Sequence, residues 1–483
     1  MFTKYFPIIL PFSNVLSAPA ADQIHAIPEL ADNLFNFKAY SGYLDASNNH
    51  HLHYFFTSSQ SENPDNDPVI VWFNGGPGCS SLLGLFTENG PIRIKANKNE
   101  PGPILNGFDQ AWNKFANMLF IESPIGVGFS YSDNQKWQDP INDETTAQDA
   151  HLALKDFFDN KFPELKNNKF TITGESYGGI YVPTLGALVD QDPNLTKNFM
   201  GVMIGNGFYN EKDNSNSLPF FAYYHGLLGQ EQWESLVGHC CDKKISDAGH
   251  CDFAHSWNLF CKKEFYQVEM DVWASGISPY NLYGPCLHDS EMRALFSDYE
   301  FSRFQNLFRD SSDVGSPPCT DDAGLTDYLN REDVKEAFHV KSDIKWEMCS
   351  MGINYKKQVQ DTSTHFKQIL SKPGRKVTLY SGDVDMACNF LGTERFVNRL
   401  GKSLDYNESG KYRHWMLNGQ VGGFAKDWRG DEGRSLHFRT IRGAGHMVPT
   451  DKPDEALHVL KEHFGMDDYD SNVIDFDDEE ERM

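Results

Sequence analysis

The rhythm of apolar and polar residues changes several times along this chain. Tyr40-Ser41-Gly42-Tyr43-Leu44 and His53-Tyr54-Phe55-Phe56 read as paired strands joined by an Asn-rich turn. Val69-Ile70-Val71-Trp72-Phe73 and Asn117-Met118-Leu119-Phe120-Ile121-Glu122 are nearly unbroken apolar runs, as expected of strands covered on both faces. A helix is predicted from Thr145 to Asp159, with Ala147, Ala150, Leu154 and Phe157 or Phe158 near helical spacing. Phe170 to Thr173 alternates as a short strand, and Met200 to Ile204 gives another that ends at Gly205-Asn206-Gly207. Strands alternating with helices predict an α/β class with a mainly parallel sheet. From 208 to 373 the rhythm gives way to aromatic-rich helical pieces that hold most of the cysteines, the mark of an insertion capping the core. Alternation returns with Val377 to Tyr380, a helix from Thr393 to Leu400, a strand from Leu436 to Ile441 and a final helix from Pro453 to Phe464. The expected division is a core in two parts, 21–207 and 374–465, with a disulfide-rich, largely helical cap at 208–373 between them.

The two ends read differently from the middle. Lys4 precedes an apolar run from Tyr5 to Leu16, broken by Pro7 and Pro11, and Ser17-Ala18-Pro19-Ala20 offers small residues for cleavage, so 1–20 is expected to be a signal peptide. No apolar run reaches the ~20 residues of a membrane span, and the mature chain is expected to be soluble. Residues 466–483 are expected to form a solvated, disordered tail, because the stretch from Asp467 holds nine carboxylates against Arg482 alone. The formal net charge of -25 disfavours nucleic acid and anionic membranes as partners. Of the nine cysteines, those from Cys240 to Cys261 lack paired C-x-x-C spacing, which favours disulfides over zinc and leaves one thiol free. No metal or cofactor is expected. Sequons at Asn194-Leu195-Thr196 and Asn407-Glu408-Ser409 agree with passage through an oxidising secretory route.

Three post-strand loops carry candidate chemistry. Gly174-Glu175-Ser176-Tyr177-Gly178 is a G-x-S-x-G elbow, in which a strained strand-to-helix turn lifts the Ser176 hydroxyl clear of the sheet. Asn74-Gly75-Gly76-Pro77-Gly78-Cys79-Ser80-Ser81 follows the first buried strand, where such folds supply one oxyanion donor; the other comes from the residue after the nucleophile. Gly76 and Tyr177 are the expected donors. Downstream lie Ser381-Gly382-Asp383-Val384-Asp385 and Gly443-Ala444-Gly445-His446, giving the chain order Ser, Asp, His of an α/β-hydrolase. Spacing alone leaves Asp383 and Asp385 both open as the acid.

Taken together, Gly174 to Tyr177, Asn74 to Ser81, Glu122-Ser123-Pro124-Ile125-Gly126-Val127-Gly128-Phe129-Ser130-Tyr131, Ser381 to Asn389 and Gly443 to Pro449 resemble the serine carboxypeptidases over residues 28–465. Phe221 to Gly229, Cys240-Cys241 and Tyr280 to Cys286 resemble the cap of the family's lysosomal, cathepsin A-like branch. Gly178 departs from the family's usual alanine. The resemblance selects Asp385 as the acid and implies removal of C-terminal residues from peptides at acidic pH through a Ser176-His446-Asp385 acyl-enzyme route. An esterase or acyltransferase on the same triad, and a protective binding protein, are the alternatives. It further implies that Asn74, Glu88, Glu175 and the Gly75 backbone grip the substrate carboxylate, with Trp72 at the edge and Met447 lining the substrate pocket. From the residues alone Glu88 reads as a helix-surface charge. Two clustered carboxyls would share a proton, since like charges raise one pKa, and would then donate to an anion. Also implied are the pairs Cys79 to Cys349, Cys240 to Cys261, Cys241 to Cys251 and Cys286 to Cys319, a free Cys388, glycosylation at Asn194 and Asn407, a homodimer, possible lysosomal glycosidase partners, and a lysosomal or secreted location. In that branch the segment between Cys286 and Cys319 holds a peptide excised on activation; the alternative is a permanent cap helix with no processing.

Overall fold

The computed structural model describes residues 18–96, 103–134, 141–241, 251–273, 275–286, 319, 324–350 and 352–466. All but the last residues of the expected signal peptide, the segment between Cys286 and Cys319, and the acidic tail from Asp467 lie outside the described residues.

In chain order the strands are β1 (Gln23–Ile24), β2 (Ala39–Asp45), β3 (His50–Thr57), β4 (Val69–Phe73), β5 (Ile92–Ala96), β6 (Pro103–Gly107), β7 (Asn117–Ile121) and β8 (Tyr131–Ser132). They continue as β9 (Ile141–Asn142), β10 (Phe170–Glu175), β11 (Phe199–Gly205), β12 (Tyr355–Lys356), β13 (Lys376–Gly382), β14 (Asn407–Leu417), β15 (Gln420–Arg429) and β16 (Ser435–Ile441). Among the described residues twelve of them make one sheet in the order β1-β2-β3-β7-β4-β10-β11-β13-β16-β15-β14, with β8 paired to β3. The run from β7 to β16 is parallel, whereas both flanks are antiparallel. This is the α/β-hydrolase arrangement.

Residue alternation along β4 explains its unbroken apolar run. Val69, Val71 and Phe73 enter one apolar layer with Ile172, Val202 and Leu379, under the helices Asp143–Asp156 and Gly178–Gln191. Ile70 and Trp72 enter the opposite layer with Phe120, Met203, Tyr380 and the final helix Pro453–Phe464. Both faces are dry, so both sets of positions must be apolar.

Packing divides the insertion. The helices Glu211–Tyr224, Gln230–Cys240 and Leu259–Trp273 gather a separate apolar cluster around Phe220, Trp233, Leu236 and Phe265, which reaches the core through Met386. Tyr328, Phe338 and Trp346, which composition groups with the cap, instead pack in the second layer of the sheet. Composition registers aromatic content there but not which surface those rings cover.

Candidate active site

The loops that follow the central parallel strands β4, β10, β11, β13 and β16 meet at one end of the sheet. Ser176, one residue beyond β10, has φ 59°, a left-handed conformation that costs a non-glycine residue roughly 1 kcal/mol or more. Its surroundings hold it there: its amide reaches the carbonyls of Gly205 and Asn206 at 3.2 Å, and its own carbonyl accepts from Gly179 and Phe208 at 2.9 Å. Such a strained turn presents a side chain at the cleft, and Ser176 is half-buried there. Glycine is required opposite it, because a Cβ on Gly75 would lie 2.4 Å from the Tyr177 amide nitrogen and 2.7 Å from Ser176 Cβ.

Beyond β13 and β16 the structure joins an acid to an imidazole. His446 Nδ1 lies 2.8 Å from Asp385 Oδ2, with the ring 4% exposed and the carboxylate fully buried. Asp385 also accepts from Asn206 Nδ2 at 2.8 Å, the Ala387 amide at 2.9 Å and the Cys388 amide at 3.2 Å. Hydrogen bonds to a charged group contribute about 1.5–3 kcal/mol each, and here they replace the water lost on burial. Asp383 points elsewhere and accepts from the Gly443 amide at 2.7 Å. With Nδ1 engaged, Nε2 is the nitrogen left for Ser176; among the described residues the Ser176 hydroxyl has no hydrogen bond, as is common for catalytic contacts before substrate binds.

The loop after β4 brings the remaining groups to Ser176. Neither the Gly76 nor the Tyr177 amide donates to another described group, which leaves both free for an oxyanion. Cys79 is joined to Cys349, and flanking bonds from Ser80 N to Met348 O and from Ser350 N to Gly78 O make a short ladder that fixes the loop. Ser80 is further bound to Glu122, which also accepts from Trp346 Nε1 at 2.9 Å and His53 Nδ1 at 2.8 Å.

Asn74 organises a buried carboxyl pair. Its Oδ1 accepts from Trp72 Nε1 at 2.7 Å and from the Gly84 amide at 3.0 Å, so its NH2 must face the other way. There it donates to Glu88 at 2.9 Å and Glu175 at 3.0 Å. Glu88 is fully buried rather than a surface charge, and Trp72 lies beneath Asn74 with no exposure. Sharing one amide donor, the two buried carboxyls lie close together, where a charge on one disfavours a charge on the other. Burial pushes the Glu88 carboxyl up; burial, and then the charge of Glu88, push Glu175 well up. Arg93 caps the arrangement by donating to the Glu88 carbonyl and to Pro449 O at 3.1 Å. Its own burial draws the guanidinium down to about 10.

Met447 follows His446 and is half-buried. The structure forms the bridges Cys240 to Cys261, Cys241 to Cys251 and Cys286 to Cys319, and leaves Cys388 as a buried free thiol. Asn194 and Asn407 are both exposed. Sequence reading assigned no role to Asn206, Tyr280, Asn281 or Asp451, all of which touch the catalytic loops. Asn206 had one usable signal, its place at the end of a core strand between two glycines.

A doubly covered sheet, a left-handed serine after β10 and an acid–imidazole pair after β13 and β16 define an α/β-hydrolase of the serine-nucleophile class. The chain belongs to the serine carboxypeptidase family and is a serine-type carboxypeptidase: that family's model matches residues 28–465. It is 41% identical to the lysosomal protective protein of Mus musculus, an alignment covering 94% of this chain and 95% of that one. It is 33% identical to serine carboxypeptidase-like 20 of Arabidopsis thaliana, over 93% and 94% of the two chains. Among solved structures, the prohormone-processing carboxypeptidase Kex1 of Saccharomyces cerevisiae matches with a TM-score of 0.70 at 20% identity, covering 93% of this chain and 97% of that one, a likeness of fold. Among the described residues no helix is long and apolar enough to cross a membrane.

Proposed function

We propose that the enzyme removes single residues from the free C-terminus of peptides in an acidic compartment of the secretory pathway, with Ser176 as nucleophile. His446 Nε2 takes the hydroxyl proton as Ser176 Oγ attacks the last peptide carbonyl, and returns it to the leaving amine. Asp385 holds Nδ1–H and stabilises the imidazolium, while the amides of Gly76 and Tyr177 receive the oxyanion. Water, activated by the same imidazole, then releases the shortened peptide. Asn74, Gly75, Glu88 and Glu175 hold the terminal carboxylate, Trp72 supports Asn74 from beneath, and Met447 lines the pocket.

One observation carries this over an ester-cleaving role. The buried carboxyl pair adjoins the nucleophile, Glu175 being its immediate neighbour in the chain; burial favours its protonated form, and such a pair donates to an anion only while it keeps its proton. An ester or internal peptide bond makes no use of that site. The 41% identity to a lysosomal protein supports the acidic setting. The finer reading includes a cleaved signal peptide and glycans at Asn194 and Asn407, supported by the N-terminal apolar run and the two sequons, and a homodimer, lysosomal glycosidase partners and excision within the cap between Cys286 and Cys319, supported by the family resemblance. Ser176→Ala tests the chemistry: kcat should fall by about ten-thousandfold or more, with the fold kept. Peptide trimming at the normal rate would end the assignment.

A further inference from the structure

Among the described residues, four consecutive cap residues, Pro279 to Leu282, bond both the Asp385 loop and the His446 loop. On the acid side, the amides of Met386 and Ala387 reach Pro279 O at 3.0 and 3.2 Å, and the Leu282 amide reaches Val384 O at 3.1 Å. On the imidazole side, the His446 amide reaches Tyr280 O at 2.6 Å, and the Tyr280 ring stands edge-on to the imidazole with centroids 5.0 Å apart. The approach is close enough that a Cβ on Gly445 would lie 2.3 Å from Tyr280 O. A single carboxyl closes the clamp: Asp451 Oδ2 accepts from the Gly445 amide at 2.8 Å and from Asn281 Nδ2 at 3.0 Å. Asn281 Oδ1 is fixed by the Tyr283 amide at 3.0 Å, so its NH2 is committed to Asp451.

We propose that Asp451 and the cap residue Asn281 are a positioning pair for the catalytic imidazole, so that this strap of the cap is part of the catalytic centre rather than a cover over it. The inference rests on His446 being the general base. Asp451 fixes the backbone one residue before His446, and Asn281 anchors Asp451 to the strap that also holds the Asp385 loop. The Asp451 and Asn281 side chains make no hydrogen bond to Asn74, Glu88 or Glu175, and the bonds that tie the Val448–Asp451 turn to the Glu88 segment, from Thr450 to Thr87 O and from Arg93 to Pro449 O, do not use the Asp451 carboxyl, so its removal leaves them in place. The imidazole would then spend less time aligned with Ser176, which lowers the chemical step without weakening substrate binding.

The test is Asp451→Ala, with active sites counted by a serine-directed fluorophosphonate so that misfolded protein does not enter the rate. The kcat per titrated site should fall roughly tenfold, because Asp451→Ala removes both hydrogen bonds that the carboxyl accepts. Peptide KM should stay within about twofold of wild type, the signature of an interaction expressed in the transition state. Asp451→Asn, whose amide oxygen accepts the same bonds, should recover most of the loss, and Asn281→Ala should show a smaller fall of the same kind. Unchanged kcat per site in Asp451→Ala, or a loss that appears equally in KM, overturns the proposal. Should Asp451→Ala yield no titratable protein, Asn281→Ala decides by the same two readings. Wild-type enzyme whose Ser176 failed to react with the fluorophosphonate would remove the triad reading itself, a result separate from either.

Discussion

Glu88→Gln removes one carboxyl of the buried pair and changes its size very little. Asn74 Nδ2 lies 2.9 Å from one carboxyl oxygen and 3.0 Å from the other. Those oxygens are therefore at most about 6 Å apart, where two full charges at an effective dielectric of ~20 repel by roughly 3 kcal/mol. Burial adds to this in the same direction for both groups. Among the titratable groups facing the pair, Arg93 and His446 oppose the rise at Glu88, and Asp385 adds to it at Glu175. At acid pH the pair keeps a proton and receives the substrate carboxylate. As pH climbs through the raised pKa the second charge appears, and KM for a free-acid peptide should climb by about tenfold per pH unit. In the variant, Glu175 loses its largest charged neighbour and ionises at lower pH, yet the site never carries two charges. The two curves of KM against pH should therefore cross, the variant being poorer at the acid end and better at the alkaline end. Initial rates on a blocked dipeptide and on its C-terminal amide, from about pH 4 to about pH 8, read this directly, because carboxyl titration spans that window when the pKa is raised. Parallel curves for the two enzymes, or an equal rise in KM for the amide, would refute the reasoning.

Two further substitutions probe the elbow and the acid loop. A Cβ on Gly178 would meet only Phe73 O, at 3.4 Å, so Gly178→Ala should stabilise by about 0.4–1 kcal/mol with kcat little changed, whereas a Cβ on Gly179 would lie 2.5 Å from Phe208 O and Gly179→Ala should lower both apparent Tm and activity. A higher Tm for the second than the first would contradict the packing. Burial raises the Cys388 thiol well above its usual range, and its amide binds Asp385, so an organomercurial should inactivate slowly by crowding the acid loop, and Cys388→Ala should be both active and resistant. Persisting sensitivity in that variant would place the reactive group elsewhere.

The parallel heart of the sheet was legible because its strands are dry on both faces. Val69 to Phe73 and Pro453 to Phe464 fall where periodicity predicts them. The β14–β15 hairpin was not read, although Asn418-Gly419 marks its turn, with φ 51° and 74° and Leu417 paired to Gln420. Its strands alternate weakly, since Asn407 to Gly410 and Gln420 to Gly423 carry little apolar side chain. At the site, motif spacing pointed to Ser176 and His446 but left Asp383 beside Asp385. The distinction lies in direction: one carboxyl faces Gly443 and the other the imidazole. Asn281 and Asp451 were illegible for a similar reason, because their meeting spans 170 residues and depends on where the cap re-enters the core.

The central claim, that Ser176 and the carboxyl pair beside it make this chain an exopeptidase acting from the C-terminus, is tested most directly by mass spectrometry of one peptide incubated with the enzyme at acidic pH. The account predicts a ladder of successive single-residue losses from the C-terminus with the N-terminus intact, absent with Ser176→Ala. Internal cleavage, loss from the N-terminus, or the same ladder from Ser176→Ala would contradict it.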